Sequence, residues 1–115
     1  MKIAVDIMGG DFAPEAIVEG VVMAATELPE NVQIVMVGRQ SVIDALLSRY
    51  ASKPLANLEI VHAEDVIEMG EHPTKALSQK PNSSIRIGFK LLKEKKVHAF
   101  CSAGNTGAMH VGALF

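Results

Sequence analysis

The sequence from position 97 to 108 reads Val97-His98-Ala99-Phe100-Cys101-Ser102-Ala103-Gly104-Asn105-Thr106-Gly107-Ala108. Its apolar beginning, residues 97–102, predicts a β-strand, and the small and polar residues 102–107 predict a tight turn into a helix. Such a turn leaves backbone N–H groups free, and these groups together with the helix dipole favour an anion. A second small-residue turn, Met8-Gly9-Gly10-Asp11, follows the first predicted strand. The two turns together predict a phosphate-type site.

The rest of the chain alternates short apolar runs with helical stripes. The runs 2–6, 32–37, 58–62 and 97–102 predict four strands. Between the first two strands, apolar residues recur at helical spacing after Pro14, namely Ile17, Val21, Ala24 and Leu28. This alternation predicts an α/β fold, with a doubly wound, mainly parallel sheet made of βαβ units.

Further helices are predicted after the second strand. Ser41, followed three residues later by Asp44, is a capping signal for one of them. The segment 63–80, rich in acids and interrupted by glycine and proline, leaves room only for a short helix at 74–79. Asn82 or Ser83 can cap the next helix. The apolar faces of the two longer helices consist of Ile43, Leu46, Leu47 and Tyr50, and of Ile85, Gly88, Phe89 and Leu92.

Length and composition limit what the chain can be. With 115 residues it forms one domain at most. A hydrophobic fraction of 49% and a charged fraction of 21% are typical of a soluble globular protein. The aromatic fraction of 4% and the net charge of -2 indicate no nucleic-acid surface. No apolar run approaches the roughly 18 residues that a membrane-spanning helix needs.

The cysteine and histidine residues argue against a disulfide or metal site. A single cysteine, Cys101, excludes an internal disulfide and agrees with a reducing, cytoplasmic setting. Its place in an apolar strand predicts a core residue and not a nucleophile. The four histidines His62, His72, His98 and His110 are too scattered for a metal-ligand pattern, so no metal is expected. His98, at a strand start, is expected to be structural.

The predicted topology brings distant loops together. Right-handed crossovers place every strand-to-helix loop at the same edge of a parallel sheet, where open α/β folds bind ligands. We therefore expect the segments 9–11, 38–39, 62–63 and 102–107 to share one rim.

Several blocks of this sequence resemble those of one known family, the bacterial phosphate acyltransferases. The first is the opening stretch 3–15, IAVDIMGGDFAPE. Others follow in family order at 35–38, 60–63, 66–69, 82–84 and 102–108. Small-residue turns are common one by one, but ordered blocks with compatible spacing along essentially the whole chain are specific.

The resemblance implies an activity. Members of this family convert acyl-acyl carrier protein and inorganic phosphate into acyl phosphate and free carrier protein, in phospholipid biosynthesis. Their fold is similar to the isocitrate and isopropylmalate dehydrogenase and phosphotransacetylase group. They need no cofactor, form homodimers, are cytoplasmic with peripheral membrane association, and are markedly longer. The chain is therefore expected to be the N-terminal portion of a longer protein, a single α/β segment over 1–115 that is inactive alone.

Acyl transfer to phosphate needs an oriented phosphate and a donor for the developing oxyanion. The expected phosphate cradle consists of Ser102, Gly104, Asn105, Thr106 and Gly107. The amide of Asn105 and the hydroxyl of Thr106 are the best candidates for catalytic groups. The alternative is that the glycines only permit a tight turn and that Asn105 only caps the helix.

Two further groups of residues are candidates for the same site. Gly9, Gly10 and Asp11 would form its second wall, with Asp11 in a supporting or capping role because a carboxylate repels phosphate. Asn82, Ser83 and Ser84 could bind an anion, although capping the following helix is the commoner role. The lysines at 93–96 complement a helix C-terminus or dock the acidic carrier protein.

Two other functions stay open from the sequence. One is a phosphate acyltransferase that uses a coenzyme A thioester. The other is a non-catalytic, ligand-binding α/β domain. A nicotinamide-dependent dehydrogenase is less favoured because no G-x-G-x-x-G motif follows the first strand.

Overall fold

A computed structural model describes all 115 residues and contains four strands and five helices. The strands are β1 (Lys2–Asp6), β2 (Gln33–Gly38), β3 (Leu58–His62) and β4 (Ala99–Cys101). The helices are α1 (Glu15–Glu27), α2 (Gln40–Tyr50), α3 (Pro73–Gln79), α4 (Ser84–Lys93) and α5 (Thr106–Leu114). No helix combines the length and the apolar character needed to cross a membrane.

The four strands form one parallel sheet in the order β3-β2-β1-β4. Ala4 of β1 lies opposite Val35 on one side and Phe100 on the other. The two faces of the sheet are covered by different helices, since alternate side chains of a strand point to opposite faces. Ile34 and Met36 pack in the cluster that includes residues of α1 and α2, whereas Val35 and Val37 pack in the cluster that includes residues of α4. The predicted doubly wound α/β fold is confirmed.

A third apolar cluster joins α3, α4 and α5 beside the sheet. Its buried members are Ile67, Ala76, Ile85 and Ala108. Phe89 and Phe100 meet edge to face, with 5.3 Å between their ring centroids, and a Cβ at Gly88 would collide with the ring of Phe100. Gly88 therefore permits the close approach of α4 to the sheet.

The structure corrects three expectations about the first two helices and the last strand. Helix α1 ends at Glu27, so Leu28 lies outside it, and its buried face is Val18, Val21, Val22 and Ala25. Helix α2 starts at Gln40 with Arg39 at the N-cap, and Ser41 does not cap it. Cys101 is exposed, not in the core, because β4 is a short strand at the edge of the sheet.

Strand β4 is also shorter than predicted. The backbone N–H of Lys2 donates to Nδ1 of His98 at 3.0 Å, so a side chain takes the place of a ladder carbonyl there. The N–H of His98 in turn donates to the carbonyl of Lys2 at 2.8 Å. His98 thus has the expected structural role, at the point where the ladder begins.

Candidate functional site

The small-residue turns follow two neighbouring strands, β1 and β4, at the carboxyl edge of the sheet. From β1 the chain proceeds to β2 and β3 on one side, and β4 lies on the other side of β1. The strand order therefore reverses between β1 and β4. In open α/β sheets, ligands bind in the crevice at such a topological switch point.

Asp6, the last residue of β1, ties the two turns together. Its Oδ1 accepts from the N–H of Met8 at 3.0 Å, and its Oδ2 accepts from the hydroxyl of Ser102 at 2.7 Å. The hydroxyl oxygen of Ser102 accepts in turn from the N–H of Gly104 at 3.0 Å. Asp6 is only 1% exposed. From the sequence alone the role of Asp6, an acid that directly follows the apolar residues 3–5, is ambiguous.

The backbones of the two turns are in direct contact. A Cβ at Gly9 would collide with Oδ2 of Asp6 and would lie 2.9 Å from Cα of Gly104. Gly10 has a φ of 121°, which side-chain-bearing residues rarely adopt, and it faces Ala103. The prediction that segments 9–11 and 102–107 meet at one rim is confirmed. Three glycines make this approach possible.

Asp11 takes no part in these contacts. It is exposed, and helix α1 has no side-chain cap, so the expected capping role of Asp11 is wrong. Pro14 occupies the N-cap position of α1.

The side chain of Asn105 is occupied within the protein. Its Oδ1 accepts from the N–H of Ala108 at 3.0 Å and so caps α5. Its Nδ2 donates to the carbonyls of Glu68 and Glu71, each at 3.0 Å, and approaches that of Met69 at 3.4 Å. With 4% exposure, the amide has no donor left for a ligand. Asn105 thus caps the helix, as the alternative reading had it, and also holds a loop.

Thr106 and Gly107, at the start of α5, have hydrogen-bond donors that are not used within the protein. The first backbone hydrogen bond of the helix runs from the N–H of Met109 to the carbonyl of Asn105, and Ala108 is capped by the Asn105 side chain. The N–H groups of Thr106 and Gly107 therefore have no partner within the protein. Thr106 is exposed, and its hydroxyl makes no hydrogen bond. These groups can all donate to an anion.

The loop 66–71 is held from two sides. Asn105 binds its carbonyls, and Nζ of Lys80 donates to the carbonyl of Val66 at 2.7 Å and to Oε2 of Glu71 at 2.8 Å. The same carboxylate oxygen accepts from the N–H of Glu68. The hydrogen bond from Lys80, followed by that from Glu68, lowers the pKa of the Glu71 carboxyl.

The start of α4 is more fully hydrogen-bonded than the start of α5, since among its first backbone N–H groups only that of Ile85 has no partner. Oγ of Ser83 accepts from the N–H of Arg86 at 3.2 Å, and the N–H of Ser84 donates to the carbonyl of Asp65 at 3.1 Å. Asp65 in turn donates its N–H to the carbonyl of Asn82 at 3.1 Å. Ser83 and Ser84 are buried, and Oγ of Ser84 has no partner. Ser83 is thus the cap of α4, and Asn82 is an exposed residue whose carbonyl accepts the hydrogen bond from Asp65.

The loops after β2 and β3 are joined by a separate set of contacts. Nδ1 of His62 accepts from the N–H of Gln40 at 3.1 Å, and its Nε2 lies 2.9 Å from Oε2 of Glu64. Nε of Arg39 donates to the carbonyl of Glu64 at 2.8 Å. Because the N–H of Gln40 needs an unprotonated Nδ1, the ring proton lies on Nε2. These loops share the rim with the two turns but form their own cluster.

Fold and site together define a doubly wound α/β protein with two glycine-containing turns at its switch point, one of which opens a helix. The family model described as "Fatty acid synthesis protein" matches residues 1–115, so the chain belongs to this family.

Curated relatives agree with this membership. The phosphate acyltransferase of Dictyoglomus turgidum is 50% identical over 114 residues, which cover 99% of this chain and 33% of that protein. The phosphate acyltransferase of Acetivibrio thermocellus is 46% identical over 115 residues, covering 100% of this chain and 33% of the relative. That of Salinibacter ruber is 43% identical over 114 residues. The resemblance seen in the sequence is confirmed, and the chain spans about a third of the length of these relatives.

Proposed function

We propose that this chain provides the phosphate-binding part of a phosphate acyltransferase. The reaction transfers an acyl group from acyl-acyl carrier protein to inorganic phosphate and yields acyl phosphate for phospholipid biosynthesis. The observation that carries the proposal is the pair of unpartnered N–H groups of Thr106 and Gly107 at the switch point of the sheet. The names of the relatives support phosphate as the anion.

In the proposed reaction the chain binds and orients the nucleophile. A phosphate oxygen forms a bond to the thioester carbonyl carbon, the carbon–sulfur bond breaks, and the sulfur leaves with its electron pair as a thiolate. A thiol has a pKa of about 8.5, so this departure needs no strong acid. The N–H groups of Thr106 and Gly107 and the hydroxyl of Thr106 would hold the phosphate at the positive end of α5.

The surroundings of the turn support binding of an anion. The Asp6 carboxylate, which would repel phosphate, has both oxygens engaged by Met8 and Ser102. Asn105 acts as a positioning residue in this proposal, because its amide holds the loop 66–71 against α5. Thr106 remains the best candidate for a group that touches the substrate.

The wider expectations from the resemblance are part of the same proposal. They are that the longer protein forms a homodimer, that it is cytoplasmic with peripheral membrane association, and that it needs no cofactor. The chain alone should have little or no activity, since it spans a third of the relatives' length.

The test is the release of free carrier protein from acyl-acyl carrier protein, with and without inorganic phosphate. It compares the 115-residue chain with a protein of the relatives' full length that carries this segment. We expect phosphate-dependent release from the long form only, weakened by Thr106→Val and retained by Thr106→Ser. Faster release from a coenzyme A thioester would favour the coenzyme A-dependent alternative. If neither the 115-residue chain nor the full-length protein shows phosphate-dependent release, the alternative of a non-catalytic, ligand-binding domain is supported.

A further inference from the structure

Two histidines accept a hydrogen bond from the backbone of another element through the same ring atom, Nδ1. His62 accepts from the N–H of Gln40 at 3.1 Å, and His98 accepts from the N–H of Lys2 at 3.0 Å. His62 is the last residue of β3, and His98 directly precedes β4. Because β3 and β4 are the two outer strands of the sheet, each edge strand is attached at one end by an imidazole ring.

The ring of His98 attaches the start of β4 to β1. These two strands share only three residue pairs in their ladder. Next to this short ladder, the N–H of His98 donates to the carbonyl of Lys2 at 2.8 Å, and Nδ1 of His98 accepts from the N–H of Lys2. An imidazole nitrogen can accept only when it carries no proton. The attachment of β4 at this end therefore depends on an unprotonated Nδ1.

The ring of His62 attaches the start of α2 to the end of β3. The N-cap residue of α2, Arg39, makes no cap hydrogen bond with its side chain. Nδ1 of His62 accepts from the N–H of Gln40, the first residue of α2, and so satisfies a donor that a helix start leaves free. A doubly protonated ring would instead present a hydrogen atom and a positive charge to the positive end of the helix dipole.

Charges of both signs surround His62. Nε2 of His62 lies 2.9 Å from Oε2 of Glu64, and Nε of Arg39 donates to the carbonyl of Glu64. Asp44 on α2 and Asp65 in the loop after β3 form no ion pair with the ring. Protonation of this ring therefore breaks the hydrogen bond to α2 but turns the contact with Glu64 into an ion pair.

The surroundings of His98 offer no such compensation. No carboxylate is within ion-pair distance of its ring. Lys96 and Lys2, the cations beside it along the chain and across the ladder, are each paired with a glutamate. The N-terminal ammonium group donates to the carbonyl of Asn31. Protonation of this ring therefore only removes the acceptor of a backbone N–H.

Imidazole is the side chain whose charge changes between about pH 5 and 8. We propose that His62 and His98 form an acid-sensitive switch on the two edge strands of the sheet. With neutral rings both edge strands are attached, and protonation releases the start of α2 from β3 and the start of β4 from β1. Because β4 leads into the turn 102–107, its release also loosens the contact between the two small-residue turns.

The first measurement follows amide chemical shifts of the ¹⁵N-labelled chain as the pH is lowered from about 8 to about 5. We expect the amide protons of Gln40 and Lys2 to move upfield as the two rings titrate, because each loses its hydrogen bond. The N–H of Met8, which donates to the Asp6 carboxylate, is the internal reference and should stay in place. Constant shifts of Gln40 and Lys2 while the rings titrate would overturn the proposal.

The second measurement is urea denaturation at about pH 7.5 and about pH 5.5. The unfolded chain binds protons that the attached rings exclude, so the equilibrium constant of unfolding should rise by about tenfold for a ring that must stay neutral. His62→Asn/His98→Asn keeps an acceptor oxygen near the position of each Nδ1 but does not titrate in this range. Its unfolding constant should change by less than about twofold. An undiminished pH dependence in this variant would contradict the proposal.

The single variant His98→Asn keeps the test decisive if the double variant does not fold. It should remove the larger part of the pH dependence, because Glu64 compensates the charge of His62 alone. If His98→Asn and His62→Asn each leave the pH dependence as it is in the wild type, the switch does not exist.

The control variant is His110→Asn, because His110 is exposed on α5 and its ring makes no hydrogen bond. It should keep the pH dependence of the wild type, and an equal loss in this control would also overturn the proposal. His72 makes only a longer contact, 3.4 Å to the N–H of Lys75 at the start of one short helix. The pKa of the Glu71 carboxyl is lowered from 4.5, so this group stays ionised over the pH range of the test.

Discussion

At the scale of single residues, the carboxylate of Asp6 organises the candidate site. It is buried, and it receives donors from both small-residue turns, Met8 N–H on one side and the Ser102 hydroxyl on the other. A buried polar group that loses a partner retains its full desolvation cost. The geometry of the phosphate turn should therefore depend on a residue that does not itself touch the ligand.

We expect Ser102→Ala to lower the free energy of unfolding by about 1–3 kcal/mol, because Asp6 loses a donor and Gly104 N–H loses an acceptor. Urea denaturation measures this change. Ser48→Ala provides the control, since Ser48 lies on the exposed face of α2 and its change should stay within about 0.5 kcal/mol. Equal effects of the two substitutions would mean that the Asp6–Ser102 contact does not stabilise the turns.

At the scale of elements, the loop 66–71 depends on residues far away in the sequence. Asn105 binds carbonyls that lie 34–37 positions earlier, and Lys80 binds the carbonyl of Val66 and the carboxylate of Glu71. The loop is thus fixed by the side chains of the residue just before α5 and of the residue just after α3. This attachment keeps it beside the start of α5.

The contact between Glu71 and Lys80 should make the stability of the folded protein depend on pH. The folded state lowers the pKa of Glu71 below its ordinary value of 4.5. The contact therefore stabilises the protein above that pH, and this stability is lost as the pH falls through the lower pKa of the folded state. We expect the Glu71→Gln variant to be less stable than the wild type at pH 7. Below the pKa of Glu71 in the folded state, the two proteins should have similar stabilities. Thermal unfolding across pH measures the difference. The control is Glu30→Gln, at an exposed position, and its difference in stability from the wild type should not change with pH. If both variants differ from the wild type by an amount that is constant across pH, this role of Glu71 is contradicted.

For the molecule as a whole, the sequence predicted the sheet and the meeting of the two small-residue turns. The strands at 2–6 and 58–62 have the expected bounds, and the turns after β1 and β4 meet because parallel strands end at one edge. The partners of Asn105 could not be predicted, since no local pattern links it to a loop 34–37 residues earlier. The exposure of Cys101 was missed because apolar neighbours do not reveal that a strand lies at a sheet edge.

In the proposed function, the start of α5 binds phosphate. The most direct test is a titration of the ¹⁵N-labelled chain with inorganic phosphate, followed by amide chemical shifts, with chloride at matched ionic strength as the control. We expect the largest and saturable shifts at Thr106 and Gly107, with smaller ones at Gly9 and Gly10 across the contact between the turns. Shifts confined to the start of α4 at Ser84 and Ile85, or identical responses to chloride and phosphate, would contradict the claim.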